Sequence, residues 1–506
     1  MTNSRGKKLK YNTISSLVFQ ITTIVCGFVL PRLIIANYGS MVNGLVNSIT
    51  QFLQIIAFLE LGVGAVVQSS LYKPLVDHDN ILISKIVRSA GKFFSKIAII
   101  LTVYIGVLIA IWPLLINRDF DFLYTGTLIV AIAISSFSQY YFGIVERLLL
   151  SADQKGYIQY NAQTITLVVN TVLCAILINM GASIHVVKIT TSIVYLFRPL
   201  ALRIYVNKHY NIDRRITYIG EPIKQKWNGI AQHVAAVVLD QTDIIVLTVF
   251  STLSNVSIYS VYQLVIHGVK NLLLSLTSGF QALMGEYIAR EDTKSLGDLF
   301  DWVEWLLHTG TTLIFGCTAI LVVPFVAVYT KGINDADYIV PLFAVLLTVA
   351  HAGHCLRLPY NLLILAAGHY KQTQSNYIIA AAMNIIISVL TVRTWGLIGV
   401  AIGTLCAMAY QTVWMAFYDS KHFIPWAFKS FAKHICVDVL TATIASLITV
   451  NISMKDISYV SWVLLAAIVF SIWFSISLIV NFIFYKEKMM ALIQKARKRL
   501  LKKSDV

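Results

Sequence analysis

Residues 462–484 read WVLLAAIVFSIWFSISLIVNFIF, a run with no charged residue, no glycine and no proline. An α-helix rises about 1.5 Å per residue, so a run of this length crosses the roughly 30 Å hydrocarbon core of a bilayer. Further apolar windows lie at 17–30, 97–116 and 313–328. Only helices and closed barrels satisfy their backbone groups in lipid, and these runs are too long and too uniformly apolar for barrel strands. The sequence therefore predicts a helical membrane protein.

The composition of the whole chain agrees with that prediction. Of the 506 residues, 57% are hydrophobic and only 13% are charged, about half the charged fraction of a soluble domain. The length rule predicts about fourteen transmembrane helices, an all-α polytopic fold. The chain contains no phosphate-loop, HExxH or nucleophile-elbow pattern, so we expect no enzyme activity, no catalytic residues, no metal and no bound cofactor. Any uphill transport would then use an ion gradient.

The net charge of +16 is distributed unevenly along the chain. Basic residues concentrate before the first span, in alternate loops and after the last span, as in segments 73–92, 203–226 and 486–503. This asymmetry follows the positive-inside rule and predicts that both termini lie in the cytoplasm. The predicted location is the bacterial cytoplasmic (inner) membrane. The basic segments then face anionic lipid headgroups, and we expect no nucleic-acid partner.

The chain also looks duplicated. Asn12 and Asn228 open equivalent spans, and the acidic segments at Asp77 and Glu291 recur at nearly the same separation, about 215 residues. Six spans per repeat give both repeats the same orientation, which predicts a pseudo-two-fold axis along the membrane normal with the transport path between the repeats. The predicted domains are an N-terminal six-helix bundle (1–206), a cytoplasmic linker (207–227), a C-terminal six-helix bundle (228–425), two additional transmembrane helices (426–485) and a basic amphipathic cytoplasmic tail (486–506).

Polar side chains inside the predicted spans indicate the site, because they are costly in lipid and usually line a cavity. A cationic cavity would attract a phosphate or pyrophosphate, and buried carboxylates would carry a proton or sodium ion. The candidate substrate-binding residues are Arg32, Gln51, Lys270 and Arg357. The candidates for ion coupling are Glu60, Asp240 and Asp243.

Each candidate also has a structural interpretation. Lys270 would pair with Asp240 or Asp243 to pack helices, and Arg32 would reach lipid headgroups. His351 and His354 are interpreted as structural residues. Arg147 and Arg198 lie near the ends of their predicted spans and are interpreted as anchors at the membrane interface.

Two runs of sequence resemble a known family. The first comprises NGLVNSITQFL at 43–53, LELGVG at 59–64 and LYKPL at 71–75, and the second is ADQKGYI at 152–158. They resemble the Wzx-type polysaccharide-biosynthesis flippases, in the multidrug/oligosaccharidyl-lipid/polysaccharide (MOP) exporter superfamily that also contains the MATE exporters and the lipid II flippase MurJ. The resemblance covers most of the chain and is strongest over roughly the first 220 residues.

The resemblance implies two six-helix bundles around a central cavity, with two extra C-terminal helices. It also implies the substrate, an oligosaccharide on an undecaprenyl pyrophosphate carrier, with polysaccharide polymerase and glycosyltransferases as further partners. A MATE-like ion-coupled exporter of small molecules and a lipid II flippase stay open as alternatives. A membrane polymerase or ligase is disfavoured because no predicted outer loop exceeds about ten residues, and a non-transporting scaffold stays open.

Overall fold

The computed structural model describes residues 2–55, 58–115, 120–223, 230–275 and 277–494. Within these ranges the regular structure is helical and contains no strand. The predicted cytoplasmic tail lies partly outside them, with a helix at 486–494 in the part that is described.

The first helices extend from the N-terminus to residue 275. They are α1 (Thr2–Gln54), α2 (Phe58–Val76), α3 (Asn80–Leu115), α4 (Phe122–Ser138), a π-helical segment (Gln139–Gly143), α5 (Ile144–Ala152), α6 (Gly156–Asn179), α7 (Ile184–His209), α8 (Ile230–Phe250) and α9 (Leu253–Ser275).

The remaining helices extend to residue 484. They are α10 (Ser278–Ala289), α11 (Thr293–Tyr329), α12 (Pro341–Leu356), α13 (Leu358–Ala366), α14 (Tyr370–Trp395), α15 (Leu397–His422), α16 (Ala427–Thr449) and α17 (Tyr459–Phe484). Eleven helical stretches in the described part of the chain are long and apolar enough to cross a membrane. The chain is therefore a multi-pass membrane protein, while the count of fourteen spans stays a prediction.

The chain divides into two compact units, an N-terminal unit (1–260) and a C-terminal unit (261–506). In the N-terminal unit, a single apolar core is built from α1 to α7 and is reached by Leu253 at the start of α9. In the C-terminal unit, α12 packs on α11 and α15, and α14 packs on α15. The predicted domain boundaries and the duplication stay predictions.

Helix α1 (Thr2–Gln54) consists of two helical stretches that meet at a kink at Gly39, whose backbone has φ 86° and ψ 168°. Such a positive φ is readily available only to glycine, so this residue turns the chain without a loop. The sequence predicts separate spans at 12–36 and 43–70, and the kink at Gly39 lies between them. Helix α2 begins at Phe58, inside the second of these predicted spans.

A polar seam joins the second half of α1 to α8 and the start of α9. The Asn43 amide donates to Ser257 Oγ at 2.7 Å, and the hydroxyls of Ser48 and Thr248 lie 2.7 Å apart. Gly44 lies between them and lets the backbone of α9 approach α1 closely. These three residues of α1 belong to the NGLVNSITQFL run, so that run carries a helix-packing function.

Substituting Gly44 by alanine is expected to separate the helices of this seam. An added Cβ would lie 1.8 Å from the carbonyl oxygen of Leu253, a backbone atom that cannot rotate away. Overpacking of this kind destabilises a protein by about 1–3 kcal/mol. The midpoint of thermal unfolding in detergent should fall for Gly44→Ala and hold for Gly310→Ala, where a Cβ meets nothing within 4 Å. An unchanged midpoint for Gly44→Ala would contradict the close packing of α1 against the start of α9.

The turn between α5 and α6, within the ADQKGYI run, fixes the positions of two other segments. The Asn12 side chain donates to the Gln154 carbonyl at 2.8 Å and accepts from the Tyr157 backbone N–H at 2.7 Å. The Tyr210 hydroxyl, just beyond α7, donates to Asp153 at 2.5 Å. Burial, together with this bond to a carboxylate, raises the pKa of the Tyr210 phenol. The turn thus holds the start of α1 and the end of α7 together.

A buried polar network binds α16 to α11 in the C-terminal unit. Glu304 of α11 has no exposed surface and accepts hydrogen bonds from Tyr360 at 2.5 Å and Ser430 at 2.6 Å. One helical turn further on, His308 Nδ1 lies 2.6 Å from Asp438 Oδ2. Buried polar groups need such partners, so the network fixes the register of α16 on α11.

Helix α17 is bound to the same helix by side chains near its C-terminal end. The Trp305 indole donates to Asn481 Oδ1 at 2.7 Å, and Lys488, just after α17, pairs with Asp301 at 2.7 Å. Gly316 of α11 leaves the space that the Trp473 ring fills. The two additional helices are therefore fixed parts of the C-terminal unit.

Candidate functional site

Five basic side chains come together on α9 and at the end of α12. His267 and Lys270 are one helical turn apart, and His351, His354 and Arg357 follow each other at the same spacing of three, so each set shares a helix face. The rings of His267 and His351 meet edge to face with centroids 5.0 Å apart. We call these five residues the basic cluster.

The break between α12 and α13 positions Arg357. The sequence predicts one span at 337–367, and one candidate span runs over Pro341–Ala366, divided into α12 and α13 at Arg357. Pro359 lacks a backbone N–H, so it cannot donate to a carbonyl of the preceding turn. Arg357 is 6% exposed. Its Nη2 lies 2.8 Å from His354 Nδ1, and its Nη1 lies 3.8 Å from the Met408 sulfur of α15.

The cluster concentrates positive charge in a buried place. Lys270 is 5% exposed and His351 is 4% exposed. Lys270 and Arg357 lie close enough to the rings of His351 and His354 to interact with them electrostatically. Helices α9, α12 and α13 contain no Asp or Glu. Among the described residues, neither ring nitrogen of His351 has a hydrogen-bond partner. Lysine and arginine donors gathered in one place suit a ligand that carries negative charge.

The structure brings two of the four predicted binding residues together, Lys270 and Arg357. Arg32 and Gln51 belong to the N-terminal unit, on α1, where the Gln51 amide donates to the Gln241 carbonyl at 3.3 Å. Gln51 therefore extends the polar seam between α1 and α8. The binding roles of all four residues stay predictions.

His351 and His354, interpreted from the sequence as structural, lie inside the basic cluster. Their spacing of three, continued by Arg357, was the available signal, since it places all three on one face of α12. The contact between His267 of α9 and that face could not be predicted, because it depends on tertiary packing.

Of the predicted ion-coupling residues, the structure describes the side chain of Asp243 alone. This residue is 3% exposed and accepts a hydrogen bond from the Tyr259 hydroxyl at 2.7 Å. Glu60 and Asp240 lie on α2 and α8, and their side chains fall outside the described residues. In the described ranges, no group of three or more His, Cys, Asp or Glu is placed to hold a metal ion.

Comparison with solved structures shows the fold. The lipid II flippase MurJ, in an inward closed conformation, superposes with a TM-score of 0.69 at 15% identity, over 94% of this chain and 99% of MurJ. The chain shares the fold of MurJ. An inward-facing multidrug resistance MATE family transporter of the MOP superfamily superposes at 0.62, with 12% identity over 79% of this chain and 95% of its own.

The MOP fold recurs in a third comparison. The MATE transporter VcmN of Vibrio cholerae superposes at 0.58, with 14% identity over 86% of this chain and 98% of its own. No protein-family model matches the chain, and no curated protein matches it. At these identities the likeness shows the MOP fold alone, and function has to be argued from the side chains.

Proposed function

We propose that the protein is a flippase that translocates an undecaprenyl-pyrophosphate-linked oligosaccharide across the bacterial cytoplasmic membrane by alternating access. The product would supply capsule, exopolysaccharide or another cell-surface polysaccharide, alongside polymerase and glycosyltransferase partners. The observation that supports this proposal is the basic cluster, in which Lys270, His351 and Arg357 are buried and two further histidines lie half-buried beside them.

The chemistry of the cluster suits a pyrophosphate. The planar guanidinium of Arg357 offers paired N–H donors that match phosphate oxygens, and Lys270 adds a compact point charge. The ring nitrogens of His351 supply a donor that a phosphate oxygen would accept. The apolar carrier chain needs no polar partner and would stay in lipid.

Coupling to a proton or sodium ion is part of the proposal. Asp243 is a buried carboxylate with a tyrosine partner, and burial makes binding of a cation to a carboxylate favourable. Glu60 and Asp240 remain candidates for the same role.

Two rival functions share the fold. An exporter of cationic drugs would need carboxylates where the basic cluster has lysine, arginine and histidine, so the cluster disfavours it. A lipid II flippase fits the same anionic headgroup and the likeness to MurJ. The glycan attached to the carrier separates these possibilities.

Depleting the protein tests the proposal. In the depleted strain, we expect undecaprenyl-pyrophosphate-linked oligosaccharide to accumulate while surface polymer is lost, and mass spectrometry of the trapped glycan would identify the substrate. Accumulation of lipid II would favour the rival flippase. Unchanged carrier lipids and unchanged surface polymer would overturn the proposal and favour export of small molecules.

A further inference from the structure

A basic groove lies in the N-terminal unit, between the first half of α3 and the described part of the linker, residues 210–223. Its volume is about 540 Å³, within the usual range of ligand pockets, roughly 300–1,000 Å³. The cations on its wall are Arg88, Lys92 and Lys96 of α3 and Arg214 of the linker. We call it the linker groove.

The linker is fixed against α3 and α5. The backbone N–H of Asp213 donates to Ser84 Oγ of α3 at 3.0 Å. Arg214 pairs with Glu146 of α5 at 2.8 Å, and the Arg88 guanidinium donates to backbone carbonyls of the linker. The groove is therefore formed before a ligand arrives, and such preorganisation lowers the entropy that binding costs.

The two lysines of the groove are the cations best placed to meet a ligand. Lys92 and Lys96 are one helical turn apart, and both are exposed. The Lys92 ammonium lies 5.1 Å from the centre of the Tyr218 ring, on the linker side of the groove. Among the described residues that line the groove, the one carboxylate is Glu221, which accepts a hydrogen bond from the Ser89 hydroxyl. Positive charge thus exceeds negative charge on the wall, which attracts an anionic group.

The same face of α3 continues beyond the groove as apolar surface. Intervals of three or four residues place the following side chains on one helix face: Lys92, Lys96, Ile99, Val103 and Val107. The three apolar residues are 62%, 63% and 47% exposed, and they belong to a helix long and apolar enough to cross a membrane. The face therefore changes from basic to apolar at one point, as a phospholipid changes from headgroup to acyl chain.

We propose that the linker groove binds the headgroup of an anionic phospholipid of the phosphatidylglycerol type. Lys92 and Lys96 contact its phosphate, and its acyl chains lie along Ile99, Val103 and Val107. Basic residues at the membrane end of an apolar helix are typical of anionic-lipid sites. A soluble phosphate compound would use the lysines and leave the apolar face uncovered, so the lipid is the better match.

The site consists of residues of the N-terminal unit alone, so the inference does not depend on the proposed flippase activity. The test uses the full-length protein, purified in detergent and stripped of lipid. Short-chain phosphatidylglycerol is titrated, and bound lipid is counted by native mass spectrometry, with the shift of the thermal midpoint as a second readout.

We expect saturable binding of phosphatidylglycerol by the wild type. The affinity should fall roughly fivefold in Lys92→Gln and in Lys96→Gln, and roughly thirtyfold in the double variant, because each lysine contributes its own attraction to the anionic headgroup. Equal binding by the wild type and the double variant would overturn the proposal.

Matched variants separate the groove from general charge. Lys208 is an exposed lysine of α7 in the same unit and does not line the groove, so Lys208→Gln should leave binding unchanged. Replacing both Lys92 and Lys96 by arginine keeps the two charges and should keep most of the affinity. A loss in Lys208→Gln as large as that in Lys92→Gln would show that overall charge alone attracts the lipid, and would overturn the proposal.

Two further ligands, tested on the wild type, show what the groove recognises. Short-chain phosphatidylcholine keeps the phosphate and the chains but has no net charge, and glycerol 3-phosphate keeps the anion but has no chains. Both should bind more weakly than phosphatidylglycerol. Equal affinity for phosphatidylcholine would overturn the proposal, and equal or tighter binding of glycerol 3-phosphate would overturn it in favour of a soluble phosphate compound. This comparison stays decisive if the double glutamine variant does not fold.

Discussion

Replacing Lys270 or Arg357 by glutamine is expected to lower flipping at least about tenfold, and the double variant should abolish it. Each substitution removes a charge-assisted contact to the pyrophosphate, worth about 1.5–3 kcal/mol, or roughly ten- to a hundredfold in affinity. The measurement is surface polymer, with carrier-linked oligosaccharide, in the depleted strain complemented by each variant at equal protein level.

Two further variants give this prediction its controls. Lys331 is an exposed cation in the same unit, and its ammonium donates to the Ile457 carbonyl. The Lys331→Gln variant should therefore restore surface polymer fully in the depleted strain. Arg357→Lys keeps the charge and should restore part of the activity. Full complementation by both Lys270→Gln and Arg357→Gln at normal protein level would rule out the basic cluster as the binding site.

Replacing Glu304 by alanine is expected to cause the largest loss of stability. The change removes the acceptor for Tyr360 and Ser430 inside a fully buried network and leaves both hydroxyls without that partner. Each buried hydroxyl left without its acceptor costs about 1–3 kcal/mol, because it stays desolvated. The thermal midpoint in detergent should therefore fall clearly.

Milder variants at the same network test the mechanism of this loss. Glu304→Gln keeps the shape and one acceptor oxygen, so its loss should be smaller than that of Glu304→Ala. Tyr360→Phe and Ser430→Ala each remove one donor and should cost about 1 kcal/mol. A midpoint for Glu304→Ala equal to that of the wild type would show that α16 is held on α11 by apolar packing.

The helical membrane class was predictable because it depends on local composition. A run such as 462–484 spans a bilayer whatever its neighbours are, and helix α17 occupies nearly the same residues. The kink at Gly39 lies between two predicted spans, and Pro359 could have indicated the break at Arg357. The π-helical segment was not predicted, because it depends on how the helices pack.

Individual residues of the site were predictable, but their arrangement in space was not. Lys270 and Arg357 were identified because a charge in an apolar span is costly wherever it lies. The rings of His267 and His351 meet in the structure, and no spacing rule joins them. Their contact arises from tertiary packing, which the sequence pattern does not encode.

The central claim is that this protein moves a lipid-linked oligosaccharide across a bilayer, and reconstitution measures that movement directly. Purified protein is placed in liposomes that carry undecaprenyl-pyrophosphate-linked oligosaccharide, and a membrane-impermeant reagent oxidises the sugars exposed on the outer leaflet. We predict that nearly all of the oligosaccharide becomes reactive with the wild type, while the Lys270→Gln, Arg357→Gln double variant leaves the inner-leaflet share protected. A reactive fraction equal to that of protein-free liposomes, with the wild type folded and inserted, would contradict the claim.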